Sequence, residues 1–463
     1  MTERRLHAAD ALLPTGWARA VLLAWNDRGD LTAVTPDVPA PEGVATVAGP
    51  VVPGLTNLHS HAFQRAFAGL AEFRGSSDDS FWSWRERMYR VANAVTPGEL
   101  DAIATWLFVE MLEGGYTSVC EFHYLHNDVG GRPYADDTTL AACLAQAAAQ
   151  VGLGLTLLPV LYQHGGFGGV VPTEGQRRFI RSTDALLRLA EALRRAHEGP
   201  AARVGLAVHS LRAVTPEAIQ QVLGGLGALD GSAPVHIHVA EQQREVEECL
   251  AWSGQRPVAW LLDHAAVDER WCLVHATHMS ADESRRASAT GAVAGLCPTT
   301  EANLGDGVFD WPGWTRAPLG RWGVGSDSHV TVNAADELRL LEYTQRLRTG
   351  RRNVAATEGE PHVATAMTLA AVAGGAAAAG RPVSGLAPGR RADFVVLDGT
   401  HPLIAGLAAP DALDAHVFAS HRASAIDAVV VGGQTVVRHG RHALHAPAGQ
   451  AFVRARNALL ARV

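Results

Sequence analysis

Eight short apolar segments that alternate with helical stretches constrain the fold of this 463-residue chain more than any other feature. Such alternation is typical of an α/β protein with a parallel sheet, because a helix usually carries the chain back between neighbouring strands. Eight units within about 330 residues predict a (β/α)8 TIM barrel with insertions. The apolar segments lie near residues 52–58, 117–122, 153–161, 204–208, 235–239, 271–274, 292–296 and 322–325.

Helix-start signals lie between several of these segments. Residues 96–99 (TPGE) and 280–283 (SADE) have the pattern of a capping box, and residues 215–216 place a Thr cap before a proline. The helix that follows Thr96 is predicted to stop at the Gly-Gly pair 114–115.

The two ends of the chain have a different pattern. Residues 1–52 and 385–463 contain short strand-like segments and turns, and residues 429–437 predict a hairpin with a Gly-Gly turn. Neither end is long enough to bury much of a core alone. We therefore predict one small β-sandwich domain formed from both chain termini, with residues 53–384 forming the barrel domain.

The basic residues restrict the chemistry. All 39 Lys and Arg residues are arginine. The absence of Lys excludes a P-loop, and it excludes enzymes that need a Lys amine for pyridoxal phosphate or a Schiff base. It also excludes a two-metal site bridged by a carboxylated Lys. Biased codon usage is the favoured origin, since Ala, Gly and Arg are high together, but the exclusions hold either way.

Charge and hydropathy bear on partners and location. A net charge of −8 without a basic block argues against nucleic acid as a main partner. No apolar run reaches the ~20 residues of a membrane helix. Five cysteines without a CxxC pair, and an N-terminal segment unlike a signal peptide, predict reduced thiols and a cytoplasmic location.

Residues able to bind a metal lie where four of the apolar segments end. The active residues of TIM barrels come from the C-terminal ends of the strands. His59 and His61 share one face of an extended segment, so both rings can face one ion. His238, His275 and Asp327 end the fifth, sixth and eighth segments. Any three of these imidazoles in the neutral form, together with one carboxylate, suit Zn²⁺ or a similar divalent metal.

Some histidines near these ends have structural interpretations. His236 lies one pleat deeper in its strand than His238, which favours packing in the core. His275 and His278 both lie near the end of the sixth segment. His275 is favoured for the site because it directly follows the apolar run.

One stretch of sequence leaves two interpretations open. Arg85 lies in a cluster with Arg87 and Arg90, which alone is typical of a solvated helix face. Trp82 and Trp84, in the same stretch, can either wall a binding site or pack in the core.

The segments PGLTNLHSH, HVAE, LVHATH and GVGSDS resemble the amidohydrolase superfamily, in its branch of mononuclear zinc deaminases. This resemblance covers nearly the whole chain. Within the branch, HSHAFQRAFAGLAE, FWSWRERMY, SVCEFHYLHN, VHSLRAV and CPTTEANLGDG are similar to a family of deiminases that act on a linear amidine. The narrower resemblance implies hydrolysis of N-formimidoyl-L-glutamate to N-formyl-L-glutamate and ammonia, a step of histidine degradation.

The resemblance also implies roles for individual residues. It implies one Zn²⁺ per subunit, although the residue types suit other divalent metals as well. The implied metal ligands are His59, His61, His238 and Asp327. The implied proton-transfer residues are His275, Glu241 and Asp327. The implied substrate-binding residues are Gln64, Arg85, Tyr124, His209 and Arg212.

The residue types agree with this chemistry. Zinc lowers the pKa of a bound water from about 16 toward 7. Asp327 and His275 are suited to take the proton of that water, and Glu241 to protonate the departing nitrogen. Which of Glu241 and His275 carries each proton step stays open. Arg85 and Arg212 are suited to binding the two carboxylates of the substrate.

The partners and the alternatives follow from these assignments. The predicted partner is a small-molecule dicarboxylate, and the resemblance implies a homodimer. A second hypothesis is a related deaminase that acts on a heteroaromatic ring, such as a purine or a triazine. A third is a catalytically inactive binding protein on the barrel scaffold.

Overall fold

A computed structural model of the chain describes residues 3–73, 81–419 and 424–463. The strands in these ranges are β1 (Arg4–Leu13), β2 (Gly16–Trp25), β3 (Leu31–Thr35), β4 (Ala45–Val47), β5 (Val51–Pro53), β6 (Leu55–Ser60), β7 (Tyr116–His123), β8 (Gly154–Leu161), β9 (Ala202–Val204), β10 (Leu206–Val208), β11 (Val235–Val239), β12 (Trp271–His275), β13 (Val293–Leu296), β14 (Trp322–Val324), β15 (Phe394–Leu397), β16 (Ile426–Val431), β17 (Gln434–Arg438) and β18 (Arg441–His442).

The helices in the same ranges are α1 (Phe81–Ala94), α2 (Pro97–Glu113), α3 (Thr139–Val151), α4 (Thr183–His197), α5 (Pro216–Leu229), α6 (Gln243–Ser253), α7 (Pro257–His264), α8 (Ala281–Ala289), α9 (Pro298–Leu304), α10 (Trp311–Thr315), α11 (Ala334–Thr349), α12 (Val363–Ala379), α13 (Ala409–Phe418) and α14 (His445–Leu460). Two short 3₁₀ helices span Ala62–Phe67 and Glu174–Gln176.

Eight parallel strands form a nearly closed barrel. Their order is β6-β7-β8-β10-β11-β12-β13-β14, and β9 pairs with β8 beside this path. The first and last strands meet at their carboxyl ends, where the N–H of Asp327 donates to the carbonyl of His59 at 3.0 Å. The N–H of His61 donates back to the carbonyl of Asp327 at 3.3 Å. The predicted TIM barrel is therefore confirmed, and residues of the candidate site take part in its closure.

The first predicted segment differs from the structure in one respect. The apolar run 52–58 is divided at Gly54, so that Val51–Pro53 pairs with β1 and β15 while Leu55–Ser60 pairs with β7. A Cβ at Gly54 would lie 2.1 Å from the Thr117 side chain. The chain thus passes from one sheet to the other at a residue whose surroundings leave no room for a side chain.

The predicted helix starts are present. Thr96 Oγ1 accepts the N–H of Glu99 at 3.4 Å, while Glu99 Oε2 accepts the N–H of Thr96 at 2.9 Å. The same reciprocal bonds join Ser280 and Glu283, and Thr215 caps α5. The helix that begins after Thr96 ends at Glu113, directly before the Gly-Gly pair. These caps satisfy N–H groups that have no partner within the first helical turn.

The chain termini form a second, mostly antiparallel sheet. Its order is β18-β17-β16-β15-β5-β1-β2-β3, with β4 beside β1. The predicted hairpin is β16–β17, and its turn residues Gly432 and Gly433 have φ of 54° and 72°, a region that glycine enters without strain. A separate sheet built from both termini is therefore confirmed, and its strands pair into one continuous sheet. That this sheet belongs to a β-sandwich domain with the predicted bounds stays a prediction.

The last two helices lie outside that sheet. Phe452 and Leu459 of α14, and Leu413 of α13, belong to the same apolar cluster as the barrel and its helices. The division at residues 384 and 385 stays a prediction. Among the residues with described structure, no helix is both long and apolar enough to cross a membrane.

We predict that Gly325→Ala destabilises the barrel where β14 meets β6. A Cβ at Gly325 would lie 2.6 Å from the backbone nitrogen and 2.9 Å from the carbonyl oxygen of His59. Overpacking of this kind costs about 1–3 kcal/mol. We expect the free energy of unfolding, measured by denaturant titration, to fall by that amount.

Gly224→Ala is the matched control. Gly224 lies within α5, and nothing lies within 4 Å of the position that its Cβ would take. Alanine is favoured over glycine in a helix by about 1 kcal/mol, so this variant should be as stable as the parent chain or more stable. Equal stability of Gly325→Ala and the parent chain would contradict the close approach at His59.

Candidate active site

Three imidazole rings converge at the carboxyl ends of β6 and β11. The Nε2 atom of His59 lies 3.0 Å from Nε2 of His61 and 2.9 Å from Nε2 of His238. All three side chains are buried. His59 and His61 alternate along an extended segment, and β11 carries His238, so the predicted strand-end histidines meet at one point.

The other ring nitrogens fix the protonation of two of these rings. His61 Nδ1 lies 2.9 Å from the Phe122 carbonyl, and His238 Nδ1 lies 3.0 Å from the His209 carbonyl. Nδ1 therefore donates in both rings, and an unprotonated Nε2 faces the cluster. Among the described residues His59 Nδ1 has no hydrogen-bond partner.

Burial keeps these rings neutral. It lowers the pKa of His61 to about 3 and lowers the pKa values of His59 and His238 well below their usual range, and neighbouring histidines add to the lowering. Neutral rings with facing lone pairs repel one another in a buried space, and a cation among them removes that repulsion. The cluster therefore has the chemistry of a metal site.

Asp327 adds a carboxylate to the cluster. Its Oδ1 lies 3.3 Å from His61 Nε2 and 3.6 Å from His59 Nε2. Burial raises the pKa of Asp327 to about 7, and the carboxylates of Glu241 and Glu301 oppose its ionisation further. A bound cation would favour the ionised form. His59, His61 and Asp327 thus place donor atoms close enough to hold a divalent metal ion, and His59 does the same with His238 and His275.

Backbone strain is concentrated at this end of the barrel. Residues that follow β11, end or follow β12, or follow β14 have left-handed φ values although none is glycine. They are Ala240 (51°), His275 (64°), Ala276 (48°), Asp327 (46°) and His329 (62°). Each such residue costs about 1–3 kcal/mol and persists only where its surroundings enforce it, as at functional sites.

His275 and Glu241 lie beside the cluster. His275 Nε2 is 3.9 Å from Glu241 Oε1 and 3.7 Å from Asp327 Oδ2. Burial by itself lowers the pKa of His275, but the facing carboxylates of Glu241, Glu301 and Asp327 raise it to about 10. These carboxylates therefore favour the protonated ring, and His275 is placed to exchange a proton with either neighbour.

Glu301 is a functional candidate to which the sequence assigned no role. Its Oε1 lies 3.3 Å from His275 Nδ1 and accepts the N–H of Cys297 at 2.8 Å. Glu301 therefore fixes the His275 ring with Nε2 toward Glu241 and Asp327. It lies in CPTTEANLGDG, but nothing in one sequence pairs it with a histidine 26 residues earlier.

Glu121 is a second residue that sequence reasoning missed. It is buried on β7, where Oε1 accepts the N–H of Ala62 at 2.7 Å and Oε2 accepts the hydroxyl of Ser60 at 2.5 Å. Ser60 and Ala62 flank His61. Because both bonds end on one carboxyl group, Glu121 holds the backbone on either side of His61 against the second barrel strand.

The predicted substrate-binding residues line one cavity beside the cluster. The cavity measures about 670 Å³, open solvent included. These residues are Gln64, Arg85, Tyr124, His209 and Arg212. The same cavity is lined by His61, His238, Glu241, His275 and Asp327. With His59 in contact with two of these rings, the structure brings every predicted site residue together.

Two of these side chains have defined polar partners. Gln64 Nε2 donates to Tyr124 Oη at 3.0 Å, which leaves the buried Gln64 Oε1 without a partner among the described residues. His209 Nδ1 lies 3.0 Å from Ser210 Oγ. Burial lowers the pKa of His209 well below its usual range, so this ring enters the cavity neutral.

The guanidinium groups of Arg212 and Arg85 differ in whether a carboxylate lies close to them. Arg212 Nη2 lies 3.8 Å from Glu241 Oε2 and 4.0 Å from Glu245 Oε2. Among the described residues no carboxylate lies within ion-pair distance of Arg85. Burial lowers the pKa of Arg85, and the positive charge of Arg212 adds to that lowering. A carboxylate bound beside Arg85 would relieve this excess of positive charge.

The sequence left two interpretations open for several histidines and tryptophans near the site, and the contacts of these side chains decide between them. His236 Nε2 lies 2.8 Å from the Ala378 carbonyl of α12, as expected for packing in the core. His278 Nε2 lies 2.7 Å from the Asp306 carbonyl, whereas His275 lines the cavity. Trp84 lines the same cavity, and Trp82 lines an adjoining one.

Comparison with known proteins identifies the family. A model of the Amidohydrolase family matches residues 51–436, and the chain belongs to this family. The superfamily predicted from the motifs is therefore confirmed. The family and the formimidoylglutamate deiminase relative described below indicate a hydrolase that acts on carbon–nitrogen bonds, as the sequence predicted.

Three relatives show how closely the chain follows known proteins. It is 50% identical over 455 residues to the formimidoylglutamate deiminase of Pseudomonas aeruginosa, an alignment that covers 98% of this chain and 99% of that protein. An amidohydrolase from Brucella melitensis has a TM-score of 0.93 at 48% identity, covering 99% of this chain and 100% of that one. An adenosine deaminase from Xanthomonas campestris with bound zinc shares the fold, with a TM-score of 0.80 at 23% identity and 98% coverage of both chains.

We predict that Glu121→Ala weakens metal binding more than it weakens the fold. Removal of the carboxyl group frees the N–H of Ala62 and the hydroxyl of Ser60, so His61 is no longer held in place. Loss of groups that orient metal ligands typically costs 10–100-fold in metal affinity, roughly the loss expected here. Zinc affinity would be measured by competition with a chromophoric chelator.

Two variants control this experiment. Glu121→Gln keeps an oxygen for the N–H of Ala62 and should retain most of the affinity. Glu337→Ala removes another fully buried glutamate, one that accepts hydrogen bonds of 2.6 and 3.0 Å from Thr299 and none from Ser60 or Ala62. It should reduce stability while leaving zinc affinity near that of the parent chain. Unchanged zinc affinity in Glu121→Ala would refute the assigned role.

Proposed function

We propose that this chain hydrolyses N-formimidoyl-L-glutamate to N-formyl-L-glutamate and ammonia. The observation that carries the proposal is the pairing, in one cavity, of a His/Asp metal cluster with two guanidinium groups, those of Arg85 and Arg212. The name of the 50% identical relative from Pseudomonas aeruginosa supports the same substrate. This reaction is a step in the degradation of histidine.

The substrate has two carboxylates and one cationic amidine, and the cavity offers partners for each. A guanidinium binds a carboxylate through two parallel hydrogen bonds, which suits Arg85 and Arg212. Glu241 faces the protonated formimidoyl group with an opposite charge. A purine or triazine ring carries no carboxylates, and its binding would leave Arg85 without a negative partner.

One Zn²⁺ per chain is the metal we propose. His59, His61, His238 and Asp327 would hold it, and their neutral rings and single carboxylate suit zinc. When bound, such an ion supplies Lewis acidity that lowers the pKa of water toward neutrality. The chain has no Lys, so it has no carboxylated Lys with which to bridge a second ion.

The protein groups around the cluster move the protons. Asp327 accepts the proton that the attacking water loses, and the protonated ring of His275 gives a proton to Glu241 and regains one from Asp327. The C=N π bond breaks and the carbon becomes tetrahedral. Glu241, now protonated, gives its proton to the terminal nitrogen, which leaves as ammonia, while the new hydroxyl gives its remaining proton to Asp327 and becomes the formyl carbonyl. The balance is one water consumed and one ammonia released.

Two further proposals concern the cellular location and the oligomeric state of the protein. The five cysteines are free in the structure, which agrees with a cytoplasmic location where thiols stay reduced. A homodimer is expected from the family resemblance, and sedimentation analysis would test it.

We predict that Arg85→Ala and Arg212→Ala each raise the KM for N-formimidoyl-L-glutamate. A hydrogen bond to a charged group contributes about 1.5–3 kcal/mol, so the loss of one guanidinium should raise KM by about 10–100-fold. Ammonia release would be measured with N-formimidoyl-L-glutamate, N-formimidoyl-L-aspartate and a panel of purines. The exposed Arg188 on α4 provides the control, Arg188→Ala. Full activity in both cavity variants would make the substrate assignment wrong.

We also predict that metal removal abolishes activity reversibly. Elemental analysis should find about one zinc per chain, and chelation should stop ammonia release until zinc is restored. A ligand at 100 times its Kd stabilises a protein by about 2.7 kcal/mol, so the Tm should fall on chelation. Protein that contains no divalent metal and stays inactive after zinc addition would instead favour the inactive binding protein.

A further inference from the structure

A second cavity adjoins the first and shares two of its cations. It measures about 970 Å³, open solvent included, and both cavities are lined by Arg85, Arg212 and Gly165. The outer cavity is lined in addition by Trp82 and Arg244. Arg85 and Arg212 therefore lie where the outer space meets the candidate active site.

The indole of Trp82 contacts two guanidinium groups. The Cζ atom of Arg85 lies 4.2 Å from the ring centroid of Trp82, and the Cζ atom of Arg244 lies 4.4 Å from it. Both cations are attracted by the negative face of the indole. Trp82 belongs to α1 and Arg244 to α6, so the contact joins two helices that follow different barrel strands.

These contacts leave the two arginines in different states. Arg244 Nε donates to Glu248 Oε1 at 2.7 Å, so part of its charge is balanced within its own helix. Arg85 has an aromatic partner in Trp82 and a second, at 5.5 Å, in Tyr89. Aromatic faces orient a planar cation without neutralising it. The partners of Arg85 among the described residues are aromatic rings, so with respect to these residues its N–H groups remain available for an anion.

We propose that Trp82 is a positioning residue for Arg85 and that Arg244 extends the carboxylate site outward, so that the pair sets the preference for a dicarboxylate. This inference rests on the proposed function. Trp82 fixes the guanidinium that receives one substrate carboxylate, and Arg244 draws the anion into the outer cavity. Neither residue approaches the reacting atoms, so both act on KM and leave kcat nearly unchanged.

Trp82→Leu tests the positioning role. We expect KM for N-formimidoyl-L-glutamate to rise about 10-fold while kcat stays within about 3-fold, because only ligand capture depends on the orientation of Arg85. Trp82→Phe keeps an aromatic face and should recover most of the loss. Two analogues that each lack one carboxylate, N-formimidoyl-4-aminobutyrate and N-formimidoyl-L-2-aminobutyrate, complete the test. The analogue that lacks the carboxylate bound by Arg85 should show no change in KM.

Arg244→Gln tests the outer cation. We expect kcat/KM to fall about 3–5-fold at low ionic strength and the difference from the parent chain to disappear at high salt, since exposed charges are screened. Arg244→Lys keeps the charge and should retain the salt dependence of the parent chain. Arg188→Gln, on the exposed face of α4, removes an equal charge outside both cavities and should change nothing.

The outcomes separate this inference from the proposed function. If the parent chain releases no ammonia from N-formimidoyl-L-glutamate, the proposed function fails. If it does release ammonia, the inference is overturned by an unchanged KM in Trp82→Leu, by equal losses on all three substrates, or by a loss confined to kcat. An Arg244→Gln defect that persists at high salt would equally overturn the outer-cation role.

Discussion

The convergence of three neutral imidazole nitrogens in a buried space is the interaction on which the rest of the site depends. His59 Nε2 lies within 3.0 Å of the Nε2 atoms of His61 and His238, and burial prevents these rings from relieving their repulsion by protonation. The barrel holds the rings in this arrangement because the hydrogen bonds that close it are made by the same segment, residues 59–61. The backbone of Asp327 bonds to His59 and His61, so the last ligand and the first two are placed by one set of hydrogen bonds.

Most of the fold and the convergence of the candidate ligands could be predicted because both depend on local sequence. An apolar run followed by a polar residue predicts a strand and a rim position, which is why His238, His275 and Asp327 could be placed without a structure. The division of the first run at Gly54 could not be predicted. It results from the Thr117 side chain, 63 positions later in the sequence, which occupies the space that a Cβ would need.

The roles of the carboxylates of Glu121 and Glu301 could not be predicted, for the same physical reason. Glu121 and Glu301 act on residues 61 and 26 positions away, through contacts that exist only after the barrel has formed. Their own surroundings in the sequence are those of any buried strand or short helix. A side chain that binds a ligand can be recognised in the sequence by its residue type and by its position at the end of a strand. The groups that orient such side chains can be recognised only from their distances in the folded chain.

The arginine-only composition has a consequence at the mouth of the cavity. A guanidinium is planar and weakly hydrated, so it packs on an indole face while its N–H groups point along its own plane toward a carboxylate. An ammonium group is compact and strongly hydrated, and the same contact would cost it part of its hydration. Arg85 can therefore be fixed on Trp82, 4.2 Å from the ring centroid, while no carboxylate in the described part of the chain neutralises it. In a cavity where Arg212 already lies 3.8 Å from the carboxylate of Glu241, a second cation of this kind offers a separate position for a substrate carboxylate.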